Sequence, residues 1–580
     1  MVATLRPVIG FPWGGLAVGL SCLVPLAWAA LAAVGAAWDV PPWQQLFADP
    51  QWPKAQMLSI GTGLSATALS WLITAWLLSK SFPGPRWTRL VRSLPPMLAV
   101  PHAAFAIGLL FLISPSGWLL RLVSPWATGF AAPPPWLTSQ DPWGIGLVAV
   151  LVFKEVPFLL WSAAAQLQRA DVGQRWTREL QVALSLGYQP SAAWWQVVWP
   201  QLWRRLWPPT LAVLAYSLTV VDMALVIGPT SPPTLSVLAW QWLVDADAAT
   251  NAQGAAAAWW LALTVAVCAG FLWLLRGPVA RLGQSGGKRG EKGGEKGGGQ
   301  GGRLSGGQSG RLYAVANRAE PRVAHQVALW ALLAVYLAVM LALLVGSVSG
   351  VWAFPALLPQ SLSWQGWTSV LQSRGTVLTT VVLGLAAALT ALAWSLAWLE
   401  LVPPRWDARV RQLIYLPLLL PSVLWVLGIH RLTLAWSIDA QAAGLWMAHS
   451  LAAVPYVLIA LSPAYLGFDR RYAEVAASLG HRRWAFLLRV KWPLLKAALA
   501  SSLAVGFAVS ASQYLPTLFV GAGRFATVTT EAVTLASGSQ RSLTAAYAWL
   551  QWLLPVLGFA LATWAAQPRR FAPPRNGSPV

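Results

Sequence analysis

Residues Gln181–Leu202 read QVALSLGYQPSAAWWQVVWPQL, and residues Glu474–Leu495 read EVAASLGHRRWAFLLRVKWPLL. At a constant offset of 293, Val182, Ala183, Ser185, Leu186, Gly187, Ala192, Val197, Trp199, Pro200 and Leu202 recur as Val475, Ala476, Ser478, Leu479, Gly480, Ala485, Val490, Trp492, Pro493 and Leu495. The offset also pairs Ser217 with Ser510 and Gly228 with Gly521. Self-similarity at a fixed separation marks a repeated structural unit. In each copy small residues start a short helix. A glycine then ends it, because glycine takes the left-handed conformation at little cost. A second, amphipathic helix follows, with Trp194, Val197 and Val198 facing the body of the protein. The prolines Pro200 and Pro493 are expected to punctuate entry into the next segment. The product is a helix–glycine–helix elbow, present once per half, and a pair of such elbows suits a twofold-symmetric partner.

The material around the elbows is apolar. Hydrophobic residues make up 57% of the 580 and charged residues 10%, against about 25% charged in a soluble domain. This composition predicts an all-α polytopic membrane protein. A helix needs roughly 20 apolar residues to cross the hydrocarbon. Twelve such segments are expected, near 14–36, 58–79, 94–114, 144–167, 208–228 and 256–275, then 325–349, 376–399, 412–430, 443–466, 497–518 and 544–566. They divide into halves 1–276 and 325–580, joined by a Gly/Lys-rich linker, 277–324, whose composition cannot build a core. The first segment is expected to remain as an anchor rather than be cleaved as a signal peptide, since it is long and has its counterpart at 325–349.

A net charge of +22 raises the possibility of nucleic-acid binding. With the N-terminus inside, however, 33 of the 40 Lys and Arg residues fall on inner segments and 6 on outer ones. The basic charge is therefore topological. It predicts cytoplasmic termini, a cytoplasmic linker and elbows facing the cytoplasm, with no nucleic-acid partner. The two cysteines, Cys22 and Cys268, lie in apolar runs and are read as buried thiols. His102, His325, His430, His449 and His481 show no metal-ligand spacing, and no nucleophile triad is visible. Neither a metal nor a cofactor is expected.

The elbows resemble the E-A-A-x-x-x-G…P loop of permease subunits of bacterial binding-protein-dependent ABC importers. Glu474, Val475, Ala476, Gly480 and Pro493 carry the fuller copy; Gln181, Val182, Ala183, Gly187 and Pro200 carry a degenerate one. The resemblance covers about 55–235 and 370–560. The fused halves look like the double-length ferric-iron, thiamine and polyamine type. The stretches VVDMALVIGPTSPPTLSVLAW and SASQYLPTLFVGAGRFATVTTEAV look most like YnjC-type members. The resemblance implies a MetI-like permease fold, ATPase subunits docked on the elbows, and an external solute-binding protein. It implies no bond chemistry in this chain, with ATP used by the partner.

The chain also contains Leu304–Gln308, LSGGQ, the signature string of ABC ATPases. It sits in the Gly-rich linker, and no G-x-x-x-x-G-K-[ST] phosphate loop accompanies it. The string is therefore read as chance composition.

Lys154, Glu155 and Asp222 are charged residues within apolar segments, where such groups face protein or water. The lysine and glutamate are expected to pair with neighbouring helices or to snorkel, with lining of the pathway as the alternative. With Ser217, Ser510, Ser512, Gln513 and Tyr514, Asp222 is a candidate for lining the translocation path between the halves, since transporters place polar groups near the midplane; helix–helix hydrogen bonding is the alternative use of these residues. An ion-gradient-driven transporter of 6+6 helices is the alternative. It predicts charged relays and no repeated elbow. A membrane-embedded enzyme would need clustered His, Asp or Glu, and the sequence has no such cluster.

Overall fold

A computed structural model of the chain describes residues 13–291, 322–538 and 540–567. Their regular structure is helical, apart from two isolated bridges, Thr230 with Pro233 and Ser349 with Leu362. In hydrocarbon every backbone polar group must be satisfied within its own segment, which favours this class for an apolar chain.

In chain order the helices are α1 (Trp13–Ala36), α2 (Pro41–Ala48), α3 (Trp52–Ser81), α4 (Pro85–Leu98), α5 (His102–Ile113), α6 (Trp118–Val123) and α7 (Ile145–Leu167). Then come α8 (Ala170–Ser185), α9 (Pro190–Ala193), α10 (Trp199–Thr219), α11 (Asp222–Ile227), α12 (Leu235–Leu243) and α13 (Ala248–Glu291). The rest are α14 (Arg322–Ser347), α15 (Gln365–Gln372), α16 (Arg374–Leu401), α17 (Pro404–Tyr415), α18 (Ser422–Ala435), α19 (Ala442–Leu466) and α20 (Arg471–Ser478). They end with α21 (Arg483–Phe486), α22 (Trp492–Leu494), α23 (Lys496–Ala511), α24 (Leu515–Gly521), α25 (Val528–Ala536) and α26 (Arg541–Ala566).

The chain forms two compact units, Val40–Leu362 and Met1–Asp39 with Ser363–Val580. They are cut differently from the sequence halves, because each half gives its first span to the other unit. In the Val40–Leu362 unit, α3 packs on α7 and α10, and α14 lies along α5. Gly108 permits that last approach: a Cβ there would stand 2.9 Å from the Val339 carbonyl oxygen. In the other unit α16 packs on α19 and α23, and α1 lies along α18 and α16. A Cβ on Gly428 would stand 2.5 Å from the Ala29 carbonyl oxygen, so only hydrogen fits there. Small residues that let backbones meet are the usual means of helix association in lipid.

Among the described residues nine helices are long and apolar enough to cross a membrane, and eleven if each of two bent pairs counts as one span. The expected number was twelve. The bent pairs are Pro404–Leu418 with Ser422–Ala435, at 103°, and Arg483–Leu494 with Lys496–Ala511, at 78°. The expected span 208–228 is broken as well. α10 ends at Thr219, and α11 restarts at Asp222. α13 continues to Glu291, past the point where the linker was expected to begin. The string Leu304–Gln308 lies outside the described residues.

Candidate functional site

The two elbows have the same backbone. α8 ends at Ser185 and α20 at Ser478, residues related by the offset of 293. Gly187 follows at φ +88° and Gly480 at φ +75°. Tyr188 N donates to Ala183 O at 3.2 Å and Gly187 N to Leu184 O at 3.1 Å. His481 N to Ala476 O and Gly480 N to Ala477 O, both 3.0 Å, repeat the pattern. These are paired Schellman closures, which satisfy helix-end carbonyls and require a left-handed residue at the glycine. The Ser185 and Ser478 hydroxyls each donate 2.8 Å to the carbonyl three residues back.

Beyond the turns the correspondence continues. α9 matches α21, and the π-helical turn Trp194–Val198 matches Leu487–Lys491. Pro200 was expected to punctuate the chain, but it sits at the start of α10, and the helix runs straight on from the π turn. A proline has no N–H to lose in a first turn. In the second copy the bend falls at Leu495, just beyond Pro493.

The side chains of the loop motif divide in one way in both copies. Gln181 and Val182 are exposed and Ala183 is buried; Glu474 and Val475 are exposed and Ala476 is buried. Val182 and Val475 each have 58% of their surface open, and Leu186 and Leu479 are also exposed. Each elbow thus offers a small apolar knob beside a glycine turn. In the first elbow Glu179 joins Gln201 at 2.8 Å and Arg175 at 2.7 Å. Those bonds, the glutamine's foremost, hold its carboxyl below the usual carboxylate range.

The elbows are anchored differently. The first rests on tryptophans: Trp71 meets Trp199 and Trp203 edge-on at 5.1 and 4.9 Å, and Trp194 stacks on Trp199 at 5.4 Å. The second is held by charge. Glu400, at the end of α16, accepts hydrogen bonds from Arg483, Lys491 and the Tyr465 hydroxyl.

The candidate path residues cluster at helix breaks. Asp222 opens α11 after the break at Val220 and Val221. Ser512, Gln513 and Tyr514 form the equivalent break between α23 and α24. After each break a short helix is fixed by a hydroxyl from its unit's long span. Leu235 N donates to Ser59 Oγ at 2.8 Å, and Val528 N donates to Thr380 Oγ1 at 2.9 Å. Ser217 and Ser510, the paired serines of the fifth segments, are both buried. Ser510 is engaged by His449, whose Nδ1 lies 2.8 Å from its hydroxyl while Nε2 lies 3.0 Å from Thr517 Oγ1. Nothing in the residue pattern singles out His449, a lone histidine in an apolar run. Lys154 reaches the carbonyls at the α4–α5 break, 2.6 Å from Val100 O and 3.5 Å from Met97 O. It therefore pairs with a neighbouring segment, as expected. The model brings together the residues of each elbow and those of each break.

No family model matches the chain. It is 33% identical over 560 residues to the inner membrane ABC transporter permease protein YnjC of Escherichia coli (strain K12), covering 96% of both chains. It is 27% identical over 162 residues to the sulfate transport system permease protein CysT of Synechococcus elongatus. That match covers 27% of this chain and 52% of the relative.

Proposed function

The chain belongs to the permease subunits of ABC transporters, and from that premise we propose that its two elbows are where a separate ATPase docks and drives solute import. The observation that carries this reading is the matched pair of Schellman turns with an exposed valine beside a buried alanine in each. A rigid knob that leaves an apolar side chain in water, repeated with the same backbone, fits a partner with two equivalent clefts. The ATPase supplies the nucleotide site, and this chain supplies the membrane path. It lies in the bacterial inner membrane as a multi-pass protein, with both termini and both elbows on the cytoplasmic side. An external solute-binding protein delivers the solute to the opposite face.

In this reading the helix breaks serve the path. A broken helix exposes backbone amides and carbonyls that a continuous helix would use internally, and transporters employ such ends to hold polar solutes. Asp222, Ser512, Gln513 and Tyr514 stand at those ends, with Ser217 and Ser510 on the helices leading to them. ATP-driven closure of the partner moves the elbows and the helices attached to them. This gives alternating access without bond chemistry in this chain.

The test is co-purification in detergent with the cognate ATPase at equal expression. Val182→Asp and Val475→Asp place a charge on exposed positions, so the fold is kept. The wild type is expected to retain the ATPase, each single variant to retain less, and the double variant none. Undiminished retention by the double variant would overturn docking at the elbows.

A further inference from the structure

In the second elbow one carboxylate gathers bonds from the elbow and from the membrane segments. Glu400 Oε2 lies 2.8 Å from Arg483 and Oε1 2.5 Å from Lys491. The Tyr465 hydroxyl donates to Oε1 at 2.5 Å. Arg483 also donates to the Glu400 backbone carbonyl at 2.6 Å. The Lys491 ammonium sits 3.7 Å from the Tyr465 ring centroid, and Trp492 Nε1 donates to the Tyr465 hydroxyl at 3.3 Å. Glu400 and Lys491 expose only 15% and 14% of their side chains. Charged pairs shielded from water hold their geometry far better than surface pairs.

The first half has no equivalent. At the offset of 293, Arg483 and Lys491 correspond to Pro190 and Val198. Neither can bond a carboxylate through its side chain. Trp199 and Trp492 are equivalent, yet one packs among tryptophans and the other donates into the charged cluster. We propose that Glu400 is a positioning residue which latches the second elbow to the end of α16, so that a displacement of that elbow carries α16 with it. The regulatory half of the idea, displacement by the ATPase, rests on the function proposed above. The latch itself does not. α16 packs on α19 and α23, and α23 ends at Ala511, directly before Ser512 and Gln513. The latch thus connects the elbow to the helix that leads into the second break.

The experiment uses the full chain with Cys22 and Cys268 replaced by alanine and spin labels at Arg489→Cys on the elbow and Leu385→Cys on α16. Label-to-label distances are measured by pulsed electron resonance in the free chain and in the ATPase complex trapped with ATP and vanadate. Without the Glu400→Gln change, the distribution is expected to be narrow and the same in both states. With Glu400→Gln it should broaden in the free chain and shift further in the trapped complex, while the amount of co-purified ATPase stays unchanged. Lys491→Met should broaden it less, because Arg483 still holds the carboxylate. Identical distributions with and without Glu400→Gln in the free chain would overturn the latch, whatever the ATPase does. A broadened free chain that retains no ATPase even before mutation would keep the latch and sink the importer reading. A broadened free chain with no further shift on trapping would overturn the role in transmission.

Discussion

Two charged residues in apolar surroundings, Lys154 and Asp222, are each tied to a particular break in the backbone. Lys154 is 4% exposed, and its ammonium is spent chiefly on the Val100 carbonyl, just past the end of α4. Replacing it by methionine keeps the volume and removes the donor. An orphaned buried carbonyl costs about 1–3 kcal/mol, so Lys154→Met is expected to lower the midpoint of thermal unfolding in detergent; an unchanged midpoint would mean that water reaches Val100. That Lys154 needs a partner was legible in the sequence, because a lysine in VLVFKEVPFLLW has nowhere to go without one. Its actual partner was not, since a backbone carbonyl carries no side-chain signal. His449 was illegible for a related reason: its partners, Ser510 and Thr517, are 61 and 68 residues away, and a lone histidine has no spacing to read. Glu400 was hidden in the same way, with Lys491 91 residues downstream.

At the scale of elements, the elbows were the most legible part because the chain states them twice. Gly187 and Gly480 could be assigned to turns from their place after a short helix, and both have positive φ. A Cβ at Gly480 would meet nothing within 4 Å, so any penalty there is purely conformational. Asparagine tolerates that region and a β-branched residue does not. Gly480→Asn is therefore expected to keep ATPase retention near the level of the unmutated chain, and Gly480→Val to reduce it severalfold, with the strain worth about 1–3 kcal/mol. Equal retention by the two would show that the turn can reshape without loss. Span counting fared worse. Average hydropathy has no direction, so it merged α10 with α11 across Val220 and Val221, and α23 with α24 across Ser512, Gln513 and Tyr514. Val220 and Val221 look like any other part of a span, yet the helix stops there.

For the whole molecule the exchange of first spans matters most. α1 is packed along α18 and α16, and α14 along α5. The connection between α13 and α14 lies inside the Val40–Leu362 unit, so each unit draws helices from both sequence halves. Two separately expressed pieces, 1–291 and 322–580, are expected to co-purify through a detergent wash, because each piece completes the unit built mainly by the other. Recovery of either piece alone would show that the exchanged spans do not suffice. The exchange also sets a schedule for synthesis. About 400 residues separate Ala29 from Gly428, its close neighbour in the folded unit. At roughly 5–20 residues per second on the ribosome, α1 waits about 20–80 s in the bilayer before its mate is made. Its composition suits that interval: residues 13–36 contain no Asp, Glu, Lys or Arg, and the span's mean hydropathy is 2.1. Lipid alone can keep such a helix until the second half of the chain arrives to claim it.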